Sequence, residues 1–353
     1  MPEILLTIFF ISVLLFFLGS GIWVALSMIG VSAVGMMLFT SRPVGDAMAT
    51  TIWGTSSSWT LTALPLFVWM GEILFRTKLS ENLFKGLSPW MQKLPGGLIH
   101  VNVVGCALFA AISGSSAATV ATVGKMSIPE LRKRNYPEKI LLGSLAGSGT
   151  LGLLIPPSII LIIYGVAVQE SIAKLFIAGI IPGIMIALIF MSYVIIWSLI
   201  NKKDMPKIIE EYSFLEKVKR SKQLLPVIIL ISAVIGSIYT GIATATEAAS
   251  LGVVGALILS YFQKSLTIDT FKSSLLGATK TSCMIAFILA GSTFLSLAMG
   301  FTGLPRNLAI WIQSMDLSPY VLIFVLMVFY IILGMFLDGI SAVVLTMAII
   351  EPM

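Results

Sequence analysis

Apolar runs of about 18 residues or more recur from one end of this sequence to the other, each long enough to cross a hydrocarbon core of about 30 Å. Inside such a core every backbone N–H and C=O needs a partner within the protein, which makes helices the natural element for segments of this length. The expectation is an all-α polytopic membrane protein. Composition agrees: 58% of the 353 residues are hydrophobic and 11% are charged, against roughly a quarter charged in soluble domains. The segment from Met1 to Leu18 carries an acid, Glu3, where a signal peptide has basic residues, and has no small-residue cleavage site. It reads as a retained helix. Cys106 and Cys283 lie far apart in apolar segments and read as packing residues, with no sign of a disulfide or metal site.

Charge placement orients the helices. Most of the 22 basic residues fall in four stretches, Arg76–Lys93, Arg132–Lys139, Lys202–Lys222 and Lys264–Lys280. The positive-inside bias puts all four on the cytoplasmic side. The net charge of +6 is accounted for in this way and requires no nucleic acid partner. Residues 3–18 and 21–40 read as the first two helices, and 59–76 as one running to the first basic stretch. Residues 98–131 then pose a contradiction, because both ends of this apolar segment abut cytoplasmic basic stretches. A segment that starts and ends on one side must turn back inside the membrane. Its halves, 98–112 and 116–131, are each about 15 residues, or ~23 Å of helix, short for a full crossing. A re-entrant helical hairpin is expected, with its tip at Ser113-Gly114-Ser115-Ser116. Residues 138–168 cross outward with an interruption at Leu154-Ile155-Pro156-Pro157-Ser158, where two prolines remove two backbone donors, and 171–200 return.

The chain also repeats itself at an offset of about 220 residues. Gly19 to Val34 falls on Gly241 to Ala256, Phe67 and Gly71 on Phe287 and Gly291, and Leu79-Ser80-Glu81-Asn82-Leu83 on Leu304-Pro305-Arg306-Asn307-Leu308. Ser115-Ser116 meets Asp338-Gly339, and Pro129 meets Pro352. Residues 319–352 should then form a second hairpin, tipped at Phe336-Leu337-Asp338-Gly339 and entering from the outside. Such an inverted structural repeat, with two re-entrant hairpins and broken helices meeting near the midplane, is the arrangement of secondary transporters. The second repeat stops one residue past its proline, so it is expected to be C-terminally incomplete by about 70 residues.

Polar, irregular backbone at membrane depth survives where it lines a cavity or is buried in protein. At a hairpin tip one helix ends in free carbonyls and the next begins with free N–H groups. Carbonyls with Ser and Thr hydroxyls suit a hard cation such as Na⁺, while the N–H groups at the positive end of the helix dipole suit a carboxylate. Asp338 adds a full charge that a cation would offset. The candidate sodium-binding residues are Ser113, Ser115, Ser116, Gly149, Thr150, Pro156, Asp338 and Gly339. The candidates for binding an organic anion are Gly114, Ser116, Thr119, Pro157, Ser158 and Ser341.

Three stretches, ISGSSAATVATVGKMSIPELRKRNY, AGSGTLGLLIPPSI and GMFLDG, closely resemble the large membrane subunit of TRAP transporters, the DctM-like family, and the resemblance runs over the whole chain. It implies a multi-pass protein of the bacterial inner membrane, not an enzyme, that takes up a small organic anion such as a C4-dicarboxylate, sialic acid or keto acid. It implies Na⁺ as the coupling ion, with no other cofactor, and an elevator in which a transport domain slides against a scaffold. On that basis residues 1–78 and 223–302 would be scaffold, 79–94 and 303–316 arm helices, and 95–200 and 317–353 the transport domain, with 201–222 a cytoplasmic basic loop. The partners implied are a periplasmic substrate-binding protein, membrane lipid, and a small four-helix membrane subunit. No sequence like that subunit precedes residue 1, so a separate chain is expected.

Plainer readings compete at several positions. Membrane Ser and Thr often bond their own backbone or join helices. Glu72 and Glu247 stand equally for structural partners or a transport role, Lys125 reads as snorkelling, and the 18 methionines as lipid-facing and core filler. His100, the single histidine, reads as interfacial at the hairpin entrance. That distance from the tip argues against an intramembrane serine protease, whose nucleophile needs a base beside it. A purely structural scaffold is disfavoured by the polar tips. The remaining competitor is a Na⁺/organic-anion symporter of related hairpin architecture that works without a binding protein.

Overall fold

In the computed structural model, residues 3–77, 79–206, 212–222, 224–335 and 339–350 are described, and among them every regular element is a helix. The chain divides into two compact units. One comprises Thr62–Gly165 and Glu170–Thr281; the other Met1–Leu61, Val166–Gln169 and Ser282–Met353. Among the described residues, α10 (Ile172–Ile200), α13 (Ala245–Phe262) and α14 (Ile268–Thr302) are each long and apolar enough to cross a membrane unbroken. On α10, Ile177, Ile181, Ile184, Leu188 and Ile196 are exposed while Phe176, Gly179, Gly183 and Val194 are buried. An apolar exposed stripe opposite an apolar buried one is a helix built for lipid on its outer side.

The first unit is organised by close approach of small residues. Lipid tails are as apolar as leucine, so membrane helices gain by van der Waals contact where backbones can come near. On α13, Ala248, Ala249, Gly252 and Ala256 are buried, and α13 packs on α4 (Ala63–Phe75), with Met70 at Gly252. A Cβ on Gly252 would lie 2.5 Å from the Met70 sulfur. α12 (Leu225–Tyr239) covers α13, with Leu230 over Gly255.

Against this pair stands the first hairpin: α6 (Ile99–Ser113) and α7 (Ser116–Lys133), followed by α8 (Glu138–Gly149), a 3-10 turn at Thr150–Leu153 and α9 (Ile159–Ala167). The expected halves, 98–112 and 116–131, are these helices to within two residues. Asn102 of α6 holds α8 by donating to Leu141 O at 3.2 Å and Ser144 Oγ at 3.1 Å. At the base, Tyr136 Oη accepts the Leu98 N–H at 3.1 Å, and burial pushes its phenol above the usual value. The expected arm segment is α5 (Leu79–Met91), with Leu83 and Leu87 buried.

The second unit contains α1 (Glu3–Gly19), α2 (Val24–Phe39), α3 (Val44–Ser56), the later part of α14, α15 (Leu304–Ser314), α16 (Pro319–Gly334) and α17 (Gly339–Ile350). Met36, Phe294 and Ala298 form its core with Ala33, Met48 and Phe301 packed around them. The α14 backbone meets α2 directly at Gly291, where a Cβ would lie 2.8 Å from Ala25 O. Thr55 and Thr293 hydroxyls bond at 3.0 Å, and Ser292 Oγ donates to Val344 O at 2.7 Å, fastening α17 to α14. Tyr330 and Thr346 join α16 to α17 at 2.6 Å.

At four places the structure adds to the sequence reading. The sequence reading passed over α3, whose segment VGDAMATTIWGTS has no apolar run. Its Thr50, Thr51 and Thr55 hydroxyls bond backward to carbonyls of the preceding turn, which hides polarity inside the helix itself. His100, at the hairpin entrance, is fully buried by protein, with Nε2 2.8 Å from Pro95 O. Glu247 is a helix cap, its carboxylate accepting from the N–H and hydroxyl of Thr244, both at 2.8 Å. Glu72 pairs with Arg76 one turn on, at 2.8 Å.

Candidate functional site

The hairpin tip is a pair of helix ends back to back. Gly114 terminates α6 in the left-handed region, φ 58° and ψ 8°, with its N–H on Ala110 O at 3.0 Å. A glycine adopts that conformation without the penalty a Cβ brings. Ser115, extended at φ −126° and ψ 125°, is the N-cap of α7, and its hydroxyl accepts from Ala118 N at 3.4 Å. The reversal from carbonyl end to N–H end therefore takes two residues.

A ring of small oxygens closes over this reversal. Ser113 Oγ and Thr119 Oγ1 are 2.8 Å apart. Thr119 donates its hydroxyl to Ser115 O at 2.8 Å and its N–H to the same oxygen at 3.0 Å, while Ser113 Oγ reaches it at 3.2 Å. Ser113 and Thr119 are buried, whereas Ser115 and Ser116 are half-buried and Ala117 is exposed. The tip thus has a sealed polar interior and an accessible rim.

The interrupted helix supplies a second pair of ends at the same place. α8 stops at Gly149, the 3-10 turn follows, and a cis Pro156–Pro157 peptide leads into α9. A Cβ on Gly152 would lie 3.0 Å from Ser115 O and 3.1 Å from Thr119 Oγ1. From the other side, a Cβ on Gly114 would lie 3.0 Å from Ile159 N and 3.2 Å from Pro157 O. A Cβ on Gly149 would run into Val120 Cγ2, with Ser116 O at 3.7 Å. Two carbonyl ends, of α6 and α8, and two N–H ends, of α7 and α9, are thereby held within van der Waals reach. The carbonyls and hydroxyls offer neutral oxygen ligands to a hard cation, and the N-termini offer donors to a carboxylate.

Of the expected residues, Ser113, Gly114, Ser115, Thr119, Gly149 and Pro157 come together here, with Ser116 opening α7. Thr150 turns away: it is exposed, and its hydroxyl donates to Gly147 O at 2.7 Å. Pro156 lies against α10, 3.6 Å from where a Cβ on Gly179 would be. Ser158 is fully buried, donating to Leu153 O and accepting the Ile162 N–H through its own carbonyl at 3.1 Å. Gly339 and Ser341 open α17 in the other unit, with Ser341 buried; Asp338 lies outside the described residues. Among those residues no cluster of His, Cys, Asp and Glu could hold a metal ion.

Gly152 is the contact that sequence reasoning missed. The signal was its spacing from Gly149: a 3-10 turn has three residues per turn, so positions three apart share a face. Both glycines turn that face to α7.

The family described as "Tripartite ATP-independent periplasmic transporter, DctM component" matches residues 9–353. The C4-dicarboxylate TRAP transporter large permease protein DctM of Pseudomonas aeruginosa is 32% identical over 90% of this chain and 73% of its own length. The sialic acid TRAP transporter large permease SiaM of Vibrio cholerae is 30% identical over 94% of this chain and 77% of its own length. The ectoine/5-hydroxyectoine large permease UehC of Ruegeria pomeroyi is 30% identical over 98% of this chain and 80% of its own length.

Proposed function

Because this chain belongs to the DctM component family of tripartite ATP-independent periplasmic transporters, we propose that it is the Na⁺-coupled large permease through which a small organic anion enters the cell. The observation that carries the reading is the meeting of four helix ends at Ser113–Thr119 and Gly149–Ile159, with Gly114 and Gly152 allowing the approach. Neutral oxygens beside helix N-termini can hold a cation and an anion together, which is the minimal requirement of a symport site. Relatives are named for a dicarboxylate, sialic acid and ectoine, so membership alone selects no substrate. The partners would be a small four-helix membrane subunit and a periplasmic substrate-binding protein, with the assembly in the inner membrane.

The motion proposed is an elevator. Carrying the site across whole keeps its carbonyls and hydroxyls paired throughout, where exposing them to lipid would cost several kcal/mol each. The first hairpin and the Gly149–Pro157 break would travel with the second hairpin, tethered by α5 and α15. The near-equal spacing of elements supports a repeat: α6 opens at Ile99 and α16 at Pro319, α7 at Ser116 and α17 at Gly339.

Reconstituting the chain with its small subunit in liposomes tests the reading. Uptake of labelled substrate is expected to require both an inward Na⁺ gradient and the binding protein. Uptake without a binding protein would instead favour the receptor-independent symporter. In the same assay Asp338→Asn keeps the shape and removes the charge that offsets a desolvated cation. It is expected to weaken Na⁺ dependence sharply, and an unchanged requirement would move the ion site elsewhere.

A further inference from the structure

At the other end of the first hairpin, α5, α7 and α11 (Phe214–Ser221) enclose a cavity of about 510 Å³. Its charged lining is Lys85 from α5, Glu130 and Arg134 from α7, and Glu216 and Arg220 from α11, with Tyr212 beside them. Both carboxylates are already engaged. Glu130 Oε1 accepts from Arg134 at 2.9 and 3.0 Å, and Glu216 accepts the Ser213 N–H at 3.1 Å as part of the cap of α11. Arg220 is stacked over the Tyr212 ring, its Cζ 4.3 Å from the centroid. Stacking occupies the face of a guanidinium and leaves the N–H groups in its plane open to an anion. With Lys85, Arg134 and Arg220 against Glu130 and Glu216, the cavity lining carries an excess of positive charge, reinforced along α11 by Lys217, Lys219 and the following Lys222.

The same helix shows where the anion would come from. Phe214, Leu215 and Val218 are exposed at 70%, 80% and 42%, beside this basic face and directly ahead of apolar α12. A short helix with bare aromatic and aliphatic side chains next to lysines and arginines lies in the plane of a bilayer surface. It is docked there on α5: Trp90 Nε1 donates to Ser221 Oγ at 2.7 Å, and Lys217 Nζ stands 5.6 Å over the Trp90 ring.

We propose that this cavity is the headgroup site of an anionic phospholipid of the cytoplasmic leaflet, whose phosphate is bound by Arg220 and Lys85. A phosphodiester offers the planar fork of Arg220 two oxygens, and the exposed side chains of α11 provide the apolar neighbourhood for its acyl chains. A bound lipid would link the arm helix to the hairpin base. The inference rests on the placement of the 201–222 loop at the cytoplasmic membrane surface, and is independent of the ion and substrate carried.

Native mass spectrometry of the detergent-solubilised full chain tests it. The probes are phosphatidylglycerol and phosphatidylcholine of matched chain length, with glycerol 3-phosphate as a soluble competitor. Phosphatidylglycerol is expected to be retained over phosphatidylcholine, and Arg220→Gln to reduce its retention about fivefold, the effect of one basic residue at an anionic surface. Lys264→Gln, a basic change away from the cavity, should leave it unaltered. If Arg220→Gln does not purify as a monodisperse species, Lys85→Gln makes the same measurement. Equal retention of the two lipids, or no loss in the cavity variants, overturns the proposal. Displacement by equimolar glycerol 3-phosphate overturns it too, in favour of a soluble phosphate ligand.

Discussion

A valine at position 152 is expected to reduce substrate uptake by ~100-fold or more while the protein still inserts and purifies. The 3-10 turn brings Gly152 so close to the hairpin tip that a Cβ would stand 3.0 Å from both the carbonyl carbon and oxygen of Ser115. Backbone cannot swing aside as a side-chain end can, so the tip and the turn must separate. The ring of Ser113, Ser115 and Thr119 oxygens sits on the tip side of that contact. A displacement on the order of 1 Å at a positioned site commonly costs about two orders of magnitude in rate. The overpacking itself costs typically ~1–3 kcal/mol, which a packed unit of this size tolerates. Gly143→Val is the matched control: it lies on α8, and a Cβ there meets nothing within 4 Å. Measuring uptake per reconstituted protein for both variants decides the matter. Near-normal transport by Gly152→Val would mean that the contact between turn and tip has no part in the site.

What could be read from the sequence here is what interrupts a pattern. Ser113-Gly114-Ser115-Ser116 breaks an apolar run, and the structure puts a left-handed Gly114 and an N-cap Ser115 at that spot. The proline pair at 156–157 announces the second interruption for an equally local reason, the loss of two N–H donors. Glu247 was legible too, because Thr244-x-x-Glu247 ahead of an apolar run is a capping box. Its place beside an apolar helix leaves it equally open to a structural or a transport role until that box is recognised. Other features were not legible, because distant residues decide them. His100 is buried by a fold that brings Gly96, Pro95 and α10 around it. Gly152 looks like any other small membrane residue until α7 is laid beside the turn. Helix α3 shows the limit of apolar counting: its threonines satisfy their hydroxyls within the helix, so a segment without an apolar run still forms one.

The second large effect belongs to stability. Gly291→Leu is expected to lower the thermal midpoint of the detergent-solubilised protein by ~4–10 °C, whereas Gly300→Leu, nine residues on in the same helix, should leave it unchanged or slightly raised. Helix propensity alone favours both changes, since leucine exceeds glycine by up to about 1 kcal/mol in a helix interior. What separates them is the surroundings. At Gly300 a Cβ meets nothing within 4 Å, but at Gly291 it would lie 2.8 Å from Ala25 O and 3.3 Å from Ala25 Cα. That is backbone against backbone, so α2 and α14 can admit leucine only by moving apart. Parting them stretches the Thr55–Thr293 hydrogen bond of 3.0 Å and opens the core around Met36, Phe294 and Ala298. In lipid no hydrophobic effect draws the helices back together, because their separation exposes apolar surface to apolar solvent. A net loss of ~2–3 kcal/mol then converts to the stated shift at a few degrees per kcal/mol. Equal midpoints for the two variants would show that close approach at Gly291 does not hold this unit together.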